Sequence, residues 1–560
     1  MIRVCSLALV VFFIGLSKVV CQPTVGVIST TSQRIEGYNI FYSHNQEKVL
    51  LIDNDGQVVH IWDDINDSRP GNSVYLLPNG NLVRAKRPNN WTEDPIWAPG
   101  GGASVDIVDW ESNVLASYTL NNEQARLHHD IKPMPNGNVL MIAWEKISGT
   151  EAVAEGRDPA LITQDHVLSE MILEWNPQTN EIVWEWHVLD HLVQDKFASL
   201  SNYGNVFQSR SKINVNYDEH DANPDWLHMN SIDYNPVLDQ IAVSSPYFNE
   251  FWIIDHSTSK EQAKTSAGGN SGRGGEILFR FGNPKAYSSA NTNQYLYYQH
   301  NVHWLNPEAE AGEDGYGKML VFNNQHPSGT SVGNLLQTID PNTGAYLDPE
   351  VAADNIIIET YQHPTAPSIA YSTGVSSVQP LKNGNVLMFS GRFGYAFELN
   401  SVGEVVWEYR VPFKAGQPIA QGTELGVNNN LTFRFNRIYP EDPALVGKTL
   451  TPMGLLEEFV YNADDEVDEP DDEEVVTAID NEFFESLGLK VYPNPFLDKL
   501  SFHPRVEAIG KSISVYNLLG NIVWQHKIDN VQLAEVNTSN WPQGFYILNV
   551  DGKTLKLLKQ

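Results

Sequence analysis

Cysteine is almost absent from this 560-residue chain, and the two copies, Cys5 and Cys21, both lie near the N-terminus. The same segment opens with Met1-Ile2-Arg3 and continues with an apolar run over residues 6–16, which is the pattern of a secretory signal peptide. We predict a signal peptide over residues 1–21, because Val20 fits a lipoprotein signal poorly. The exported protein then has no disulfide and no thiol chemistry.

Long hydrophobic runs and positive charge are also scarce. The run over residues 6–16 is too short to cross a membrane, so no membrane span is predicted. Asp and Glu number 69 against 36 Lys and Arg, which gives a formal net charge of −33. An excess of acid this large disfavours binding to nucleic acid or to an anionic membrane. We therefore predict no nucleic-acid partner.

Long helical periodicity is missing, and a repeat of short strand signals stands in its place. Three copies have a polar pair eight and seven residues before a turn glycine: Asn72-Ser73, His129-Asp130 and Ser376-Ser377. Two degenerate copies around residues 228–232 and 299–302 carry His228 and His300. After each copy come three more strand signals, separated by Asn-Gly, Pro-Asn and Gly-rich turns.

Four strands per repeat are typical of a propeller blade. Five blades are countable, and residues 48–52, 57–62 and 431–437 supply a sixth that closes the ring with both ends of the chain. We predict an all-β fold: a six-bladed β-propeller over residues 22–460, followed by a small C-terminal β-sandwich over residues 486–560. Between them, residues 461–485 are predicted to be an acidic linker, because residues 464–474 are almost all Asp or Glu.

Equivalent positions on successive blades converge on one channel, so the histidines of the repeats should meet there. His129, His228 and His300 are the candidates, and His128 competes with His129. Asn72, Asn230 and Asn301 would supply donors and acceptors around the imidazoles. Guanidinium groups bind sulfate or phosphate in a bidentate manner, which makes Arg392 and Arg437 candidate substrate ligands.

Three kinds of site fit such a cluster. A metal site needs imidazoles or carboxylates, whereas the repeats place amides beside the histidines, and amides are poor zinc ligands. A nucleophilic site needs a neutral imidazole with other groups that stabilise the charge on the transferred group. The third possibility is that each histidine only joins neighbouring blades. We favour the nucleophilic site and predict no metal and no cofactor.

The C-terminal segment carries its own motifs: Tyr492-Pro493-Asn494-Pro495, Tyr516-Asn517-Leu518-Leu519-Gly520, Gly544-Phe545-Tyr546 and a basic end. It resembles the C-terminal sorting domain of type nine secretion substrates, with an immunoglobulin-like adhesion module as the alternative. The resemblance implies that the secretion machinery is a partner. It also implies that the protein is secreted or bound to the cell surface after export through the periplasm.

The segment 225–234, together with Ser244-Ser245, residues 128–131, 253–256, 299–300 and 322–324, resembles the aryl-sulfate sulfotransferases, which use no nucleotide donor. The resemblance implies a six-bladed propeller that moves a sulfuryl group from a phenolic sulfate to a phenol by ping-pong kinetics. By its place in the order of blades, His300 resembles the nucleophile that forms the sulfohistidine. His129, His228 and Asn230 match the residues that bind the sulfuryl oxygens and protonate the departing phenol.

One position departs from the family pattern. An arginine is expected after the Ser-Ser pair, and this chain has Pro246 there, which offers no N–H donor. Arg392 or an arginine of the closing blade is expected to compensate. The rival hypotheses are a non-catalytic cell-surface propeller that binds sulfated or acidic glycans, and a metal-dependent propeller hydrolase or lyase.

Overall fold

The computed structural model describes residues 23–64, 68–88 and 94–459, and most of the C-terminal strands between residues 489 and 559. The chain divides into two compact units, residues 1–470 and 471–560. The predicted signal peptide and acidic linker lie outside the described residues.

The first unit contains six antiparallel sheets, which are numbered here in the chain order of their first strands. Sheet 1 contains Arg69–Leu76, Leu82–Arg87, Ser104–Val108 and Val114–Thr119; sheet 2 contains Ala125–Pro133, Val139–Ser148, His166–Asn176 and Glu181–His187; sheet 3 contains Ser231–Asn235, Gln240–Ser245, Glu250–Asp255 and Ile277–Phe281. Sheet 4 contains His300–Trp304, Lys318–Asn323, Val332–Gln337 and Ile357–Tyr361; sheet 5 contains Ser377–Pro380, Val386–Ser390, Tyr395–Leu399 and Val405–Arg410; sheet 6 contains Thr432–Ile438, Tyr38–Ser43, Val49–Asp53 and Val58–Trp62.

The helices are short and lie in the connections. The α-helices are Gly149–Ala154, Lys260–Ala263 and Pro349–Ile356, and the 3-10 turns are Pro159–Leu161, Val188–His191, Pro284–Tyr287, Ser368–Ala370, Gly391–Phe393, Pro443–Leu445 and Leu456–Glu458. Two-residue strands pair Leu192–Val193 with Ile213–Asn214 and Phe413–Lys414 with Gln417–Pro418. In the part of the chain that the structure describes, no helix has the length and apolarity needed to cross a membrane. The predicted all-β class is confirmed.

Sheet 6 joins the two ends of the first unit. Its first strand, Thr432–Ile438, comes from the C-terminal side and pairs with Tyr38–Ser43 from the N-terminal side. The sequence predicted three strands of this sheet but not Tyr38–Ser43. It also missed Gly26–Thr30, which adds a fifth strand to sheet 5 by pairing with Val405–Arg410.

The second residue of each repeated polar pair ties its sheet to the next one. Its side chain accepts a hydrogen bond from a backbone N–H on the first strand of the following sheet. The bonds run from Ile131 to Ser73 (3.2 Å), Ile232 to Asp130 (3.0 Å), Val302 to Ser231 (3.1 Å), Val378 to Asn301 (3.0 Å) and Phe435 to Ser377 (3.4 Å). Arg434 of sheet 6 bonds to Tyr75 of sheet 1, which links the last sheet of the series to the first. The six first strands are therefore linked in a cycle.

A β-bulge lies beside these polar pairs. In sheet 2, Leu127 pairs with Ala143 and Ile131 with Met141, so residues 128–130 stand opposite the single residue Ile142. Sheet 1 has the same irregularity between Pro70 and Val74, and sheets 4 and 6 have shorter ones. A bulge interrupts the alternation of side chains along a strand and re-aims them. The two residues of a polar pair can thus point in different directions, one toward the neighbouring sheet and the other toward the predicted histidine cluster.

The second unit has two antiparallel sheets. The first contains Leu489–Tyr492, Lys499–Pro504 and Ala534–Asn537; the second contains Ile522–Lys527, Ser512–Asn517, Gly544–Val550 and Lys553–Lys559. Both sheets contribute to one apolar core, with Leu500 and Phe502 from the first and Val515 and Leu548 from the second.

Candidate active site

Four imidazoles gather at the first strands of sheets 2 and 4 and in the loop that leads into sheet 3. His128 and His129 are joined through their Nδ1 atoms at 2.8 Å, and the ring centroids of His129 and His228 lie 4.5 Å apart. His300 is close enough to His129 to lower the pKa of that imidazole, and His228 is close enough to His300 to lower the pKa of His300. All four side chains are buried. The structure therefore brings the predicted histidines together.

His300 is held in one tautomer. Asn324 donates to the carbonyl oxygens of Ser372 and Val375, so its own oxygen must face His300 Nδ1, at 2.9 Å. The carbonyl of Tyr298 lies 3.0 Å from the same nitrogen. Two acceptors at Nδ1 require a proton there, which leaves the lone pair on Nε2. Burial lowers the pKa of His300 to about 3, so this imidazole is neutral.

The lone pair of His300 meets a backbone donor. The N–H of Val375 donates to Nε2 at 3.0 Å. Val375 has a φ of 50°, a left-handed conformation that is rare for a β-branched residue. Strained backbone of this kind clusters at functional sites, where the surrounding structure holds it in place.

His228 is oriented by a carboxylate and an aromatic stack. Its Nδ1 lies 2.5 Å from Asp225, which also accepts from the indole of Trp144 at 3.2 Å. Tyr247 stacks on His228 at 4.6 Å and on His220 at 3.9 Å. Tyr247 follows Pro246, so an aromatic stack stands where the family pattern places an arginine.

His129 is bordered by a glycine-rich loop. Its N–H donates to the carbonyl of Gly100, and a Cβ on Gly100 would come within 2.0 Å of His129 Nε2. Gly100 has a φ of +80°, which suits glycine. Burial and the neighbouring histidines hold the pKa of His129 well below its usual value, and burial does the same for His128. Both rings are therefore neutral.

The predicted amides have structural partners. Asn72 bonds to His44 and donates to the carbonyl of Gly100, both at 3.0 Å. Asn301 accepts from Val378 and so joins sheets 4 and 5. Asn230 donates to the carbonyl of Gln299 at 2.8 Å, and its buried oxygen has no hydrogen-bond donor among the described residues. Their expected contacts with substrate stay predictions.

The two predicted arginines differ in location. Arg392 is close enough to His300 to lower its pKa, and its Nη1 donates to Asn428 at 3.2 Å. Arg437 is buried between sheets 5 and 6, where it donates to Asn39 at 2.7 Å and pairs with Glu398 at 3.1 Å. The guanidinium of Arg437 is engaged in this ion pair, and its expected contact with substrate stays a prediction.

The hydrogen-bond register corrects one step of the sequence argument. Because Ser231 and Asn301 hold equivalent places in the cycle, His300 is equivalent to Asn230 and not to His228. His228 stands two residues earlier and reaches the cluster from the loop before sheet 3. The histidines therefore converge from two position types, not one.

Several site residues were not predicted. They are His44, Asp225, Glu170 and Asn324. Asp225 had a local signal, because it precedes His228 by three residues. Glu170 lies on the third strand of sheet 2, where nothing in the sequence distinguishes it from other polar strand residues. Asn324 directly follows the second strand of sheet 4, at the end of the segment 322–324 that resembles the family. No group of three or more His, Cys, Asp or Glu within the described residues is arranged to hold a metal ion.

The fold and the site define a class: an all-β protein with a buried cluster of neutral imidazoles, one of which has a fixed tautomer. Residues 24–420 match the family model described as Arylsulfotransferase (ASST), and the chain belongs to this family. Residues 490–560 match the secretion system C-terminal sorting domain. Both resemblances seen in the sequence are confirmed. They indicate aryl sulfotransferase activity at the family level, and type IX secretion to the cell surface or outside.

No curated protein matches this chain. A protein of unknown function from Bacteroides caccae is 11% identical with a TM-score of 0.36, covering 72% of this chain and 99% of its own. The β-propeller domain of Cps50 (Swd1) from Myceliophteria thermophila is 12% identical with a TM-score of 0.32, covering 70% of this chain and 91% of its own. Both TM-scores are below 0.5, so no property of these proteins is transferred to this chain.

Proposed function

We propose that this protein transfers a sulfuryl group from a phenolic sulfate to a phenolic acceptor through a sulfohistidine on His300, without a nucleotide donor. The observation that carries the proposal is the environment of this imidazole. Its Nδ1–H faces Asn324 and the carbonyl of Tyr298, and its Nε2 holds a lone pair. A neutral imidazole with a fixed tautomer is a competent nucleophile.

The two carbonyl oxygens at Nδ1 also suit the intermediate. When Nε2 bonds to sulfur, the ring keeps its Nδ1 proton and becomes positively charged. Asn324 and Tyr298 then accept a stronger, charge-assisted hydrogen bond. They favour the sulfated state over the free imidazole, which is where catalysis gains from preorganised dipoles.

Donors are needed around the sulfuryl oxygens, and the family arginine is replaced by Pro246. The N–H of Val375 points at His300 Nε2 and must release it before the N–S bond forms. Once released, this N–H lies beside the transferred group and can donate to one of its oxygens. The guanidinium of Arg392, whose charge already acts on His300, would supply further donors.

The reaction balances in two halves. Nε2 of His300 attacks sulfur, the bond from sulfur to the phenolic oxygen breaks, and the departing phenolate takes a proton from the site. In the second half the acceptor phenol gives a proton to the site, attacks the same sulfur and regenerates His300. Ping-pong kinetics follow, because the first phenol leaves before the acceptor reacts.

The test combines turnover with mass. Incubation with 4-nitrophenyl sulfate and phenol should release nitrophenol, and His300→Ala should abolish the release. The control is His326→Ala, the same change at a histidine near the protein surface whose Nδ1 bonds to Ser328. Brief exposure to the donor should add one sulfuryl group to the peptide that contains His300. Turnover without that added mass, or turnover lost to a chelator and restored by metal, would contradict the proposal.

We also infer that the six linked sheets are the blades of one propeller and that the two sheets of the second unit form a sandwich. The cycle of bonds between first strands supports the former. The shared apolar core supports the latter. The predicted signal peptide would take the chain into the periplasm, and the sorting domain would then be recognised at the outer membrane.

A further inference from the structure

A buried chain of hydrogen bonds leads away from the histidine cluster to a carboxyl group. Glu170, on the third strand of sheet 2, lies 2.7 Å from His128 Nε2 through its Oε2 atom. The Nδ1 of His128 lies 2.8 Å from the Nδ1 of His129. The three side chains thus form one path that ends at His129 Nε2, and all three are buried.

We propose that Glu170 stores the proton of the sulfuryl-transfer reaction and exchanges it with the phenolic oxygen through His128 and His129. The inference rests on the proposed function and extends it, because nothing in that proposal says where the proton comes from. Glu170 does not touch the substrate in this scheme; it acts through the two imidazoles.

The fold holds each member of the path in place. His129 has a φ of 49° within the bulge of sheet 2, which lets two consecutive side chains turn toward each other. Trp144 stacks on His128 at 4.1 Å and fixes the plane of its ring. The N–H of Met229 donates to Oε1 of Glu170 at 2.7 Å, so only Oε2 is directed at His128.

Electrostatics keeps the stored proton on the carboxyl group. Burial, and next the negative charge of Asp225, raise the pKa of Glu170 well above its usual value. Burial lowers the pKa of both imidazoles, and His228 and Arg126 act on His128 in the same direction. The path therefore starts with a protonated acid and two neutral rings.

During the transfer each imidazole gains one proton as it loses another, so neither ring stays charged. In the starting state Glu170 donates to His128 Nε2, His128 Nδ1–H donates to His129 Nδ1, and His129 carries its proton on Nε2. When the phenolate departs, it takes the Nε2 proton, and each donor behind it passes one proton forward. The end state is a Glu170 carboxylate with both rings in the opposite tautomer. The acceptor phenol reverses the sequence.

Gly100 packs against the edge of the His129 ring so closely that a Cβ there would lie 2.0 Å from Nε2. In this proposal the phenolic oxygen reaches Nε2 from the side of His228, whose ring centroid lies 4.5 Å from that of His129. Within the described residues Nε2 of His129 has no hydrogen-bond partner, in contrast to Nδ1.

Glu170→Gln is the discriminating variant. A glutamine keeps both starting hydrogen bonds, since its NH₂ donates to His128 Nε2 and its oxygen accepts from Met229, but it cannot release a proton. With phenyl sulfate, whose phenolate needs protonation, kcat/KM should fall by about 10²-fold or more, the usual contribution of general acid catalysis. With 4-nitrophenyl sulfate, whose phenolate leaves unaided, kcat/KM should change little.

The control is Glu145→Gln, which makes the same change in another carboxyl–histidine pair of sheet 2, with His187 at 3.1 Å. Its response should be the same for both donors. If kcat/KM of Glu170→Gln falls by the same factor with both donors, or falls with neither, Glu170 is only structural and the proposal is overturned. If wild type turns over no aryl sulfate, the proposed function fails and the relay with it.

A second measurement does not depend on turnover. The infrared spectrum of the wild-type protein at neutral pH should contain the C=O band of one buried protonated carboxylic acid, which disappears in Glu170→Gln. A Glu170 that is ionised at neutral pH shows no such difference and contradicts the proposal, even if the variant is slow.

Discussion

Histidines in this chain have opposite charge states, and their immediate partners decide which. His300 faces neutral carbonyls and a backbone N–H, and burial keeps its pKa at about 3. His256 lies between Asp239 at 2.7 Å and Glu174 at 3.0 Å, and despite burial these carboxylates raise its pKa to about 9. The first imidazole is free to act as a nucleophile, whereas the second is a structural cation.

The charged His256 predicts how stability depends on pH. Its folded pKa of about 9 exceeds the ordinary 6.5, so its contribution is full below pH 6.5 and is lost as the pH rises through 9. One pKa unit corresponds to about 1.4 kcal/mol, which limits the loss to about 1–3 kcal/mol. The measurement is the urea midpoint of the first unit at pH 6 and pH 9.5, for wild type and His256→Gln.

Wild type should lose stability between these values, and His256→Gln should lose clearly less. Tyr234, whose hydroxyl donates to Asp239, and Trp184, which contacts the ring, also face the site, and neither carries charge at these pH values. His526→Gln, at an exposed histidine of the second unit, is the control. Equal pH dependence in wild type and His256→Gln would show that His256 is not the group responsible.

At the residue scale the sequence predicted which histidines come together but not which residues bond to them. His129 was recognisable because it stands eight residues before a turn glycine, and His228 and His300 because they lie in degenerate copies of the same repeat. Glu170, the partner of His128, and Asn324, the partner of His300, lie 42 and 24 residues away from those histidines along the chain. Such pairings depend on strand register and on the rotamer of each side chain, which short motifs do not encode.

At the element scale the loop before sheet 1's third strand shapes the site. The carbonyl of Gly100 accepts from the N–H of His129 at 2.8 Å and from Asn72 at 3.0 Å. The loop is therefore fastened to sheets 1 and 2 together. Its close approach to the imidazole is possible only because Gly100 lacks a Cβ.

Gly100→Ala should reduce activity, and it should also lower stability. The new Cβ would meet His129 Nε2 at 2.0 Å and push the imidazole or the loop aside, which misplaces the end of the proposed relay. Gly137→Ala is a matched control, because Gly137 has a similar φ of +87° but its Cβ would have no atom within 4 Å. Both variants bear similar backbone strain, of order 1 kcal/mol.

Turnover of phenyl sulfate, whose phenolate needs a proton from the relay, and the thermal midpoint should be measured on both variants. We expect an activity loss of about 10²-fold confined to Gly100→Ala, together with a lower midpoint than that of Gly137→Ala, because overpacking a buried site costs about 1–3 kcal/mol. Equal activities would mean that the loop gives way without disturbing His129.

The elements themselves were largely predictable, and the exceptions have one cause. Strands in the repeats are predicted by runs of β-branched and aromatic residues between turn signals. Gly26–Thr30 and Tyr38–Ser43 stand outside the repeat, and their partners, Val405–Arg410 and Thr432–Ile438, lie almost 400 residues away. No local pattern carries that information, although ring closure demanded that some N-terminal strand be present.

At the scale of the whole molecule, the candidate active site and the secretion signal belong to separate units. The histidine cluster and the partners described above, from His44 to Arg392, lie in the first unit, whereas the family match for sorting covers residues 490–560. Each unit has its own apolar core, so each is expected to fold without the other.

Deleting residues 490–560 should therefore change where the enzyme is found and not what it does. In a host with type IX secretion, the truncated chain should accumulate in the periplasm with unchanged kcat and KM for 4-nitrophenyl sulfate, because no site residue is removed. A fluorescent protein carrying a signal peptide and residues 471–560 should reach the cell surface or the medium. The matched control is the same reporter with residues 471–489 only, which should stay in the periplasm. A truncated enzyme that is exported normally, or one that loses turnover while remaining folded, would show that address and chemistry are not separable.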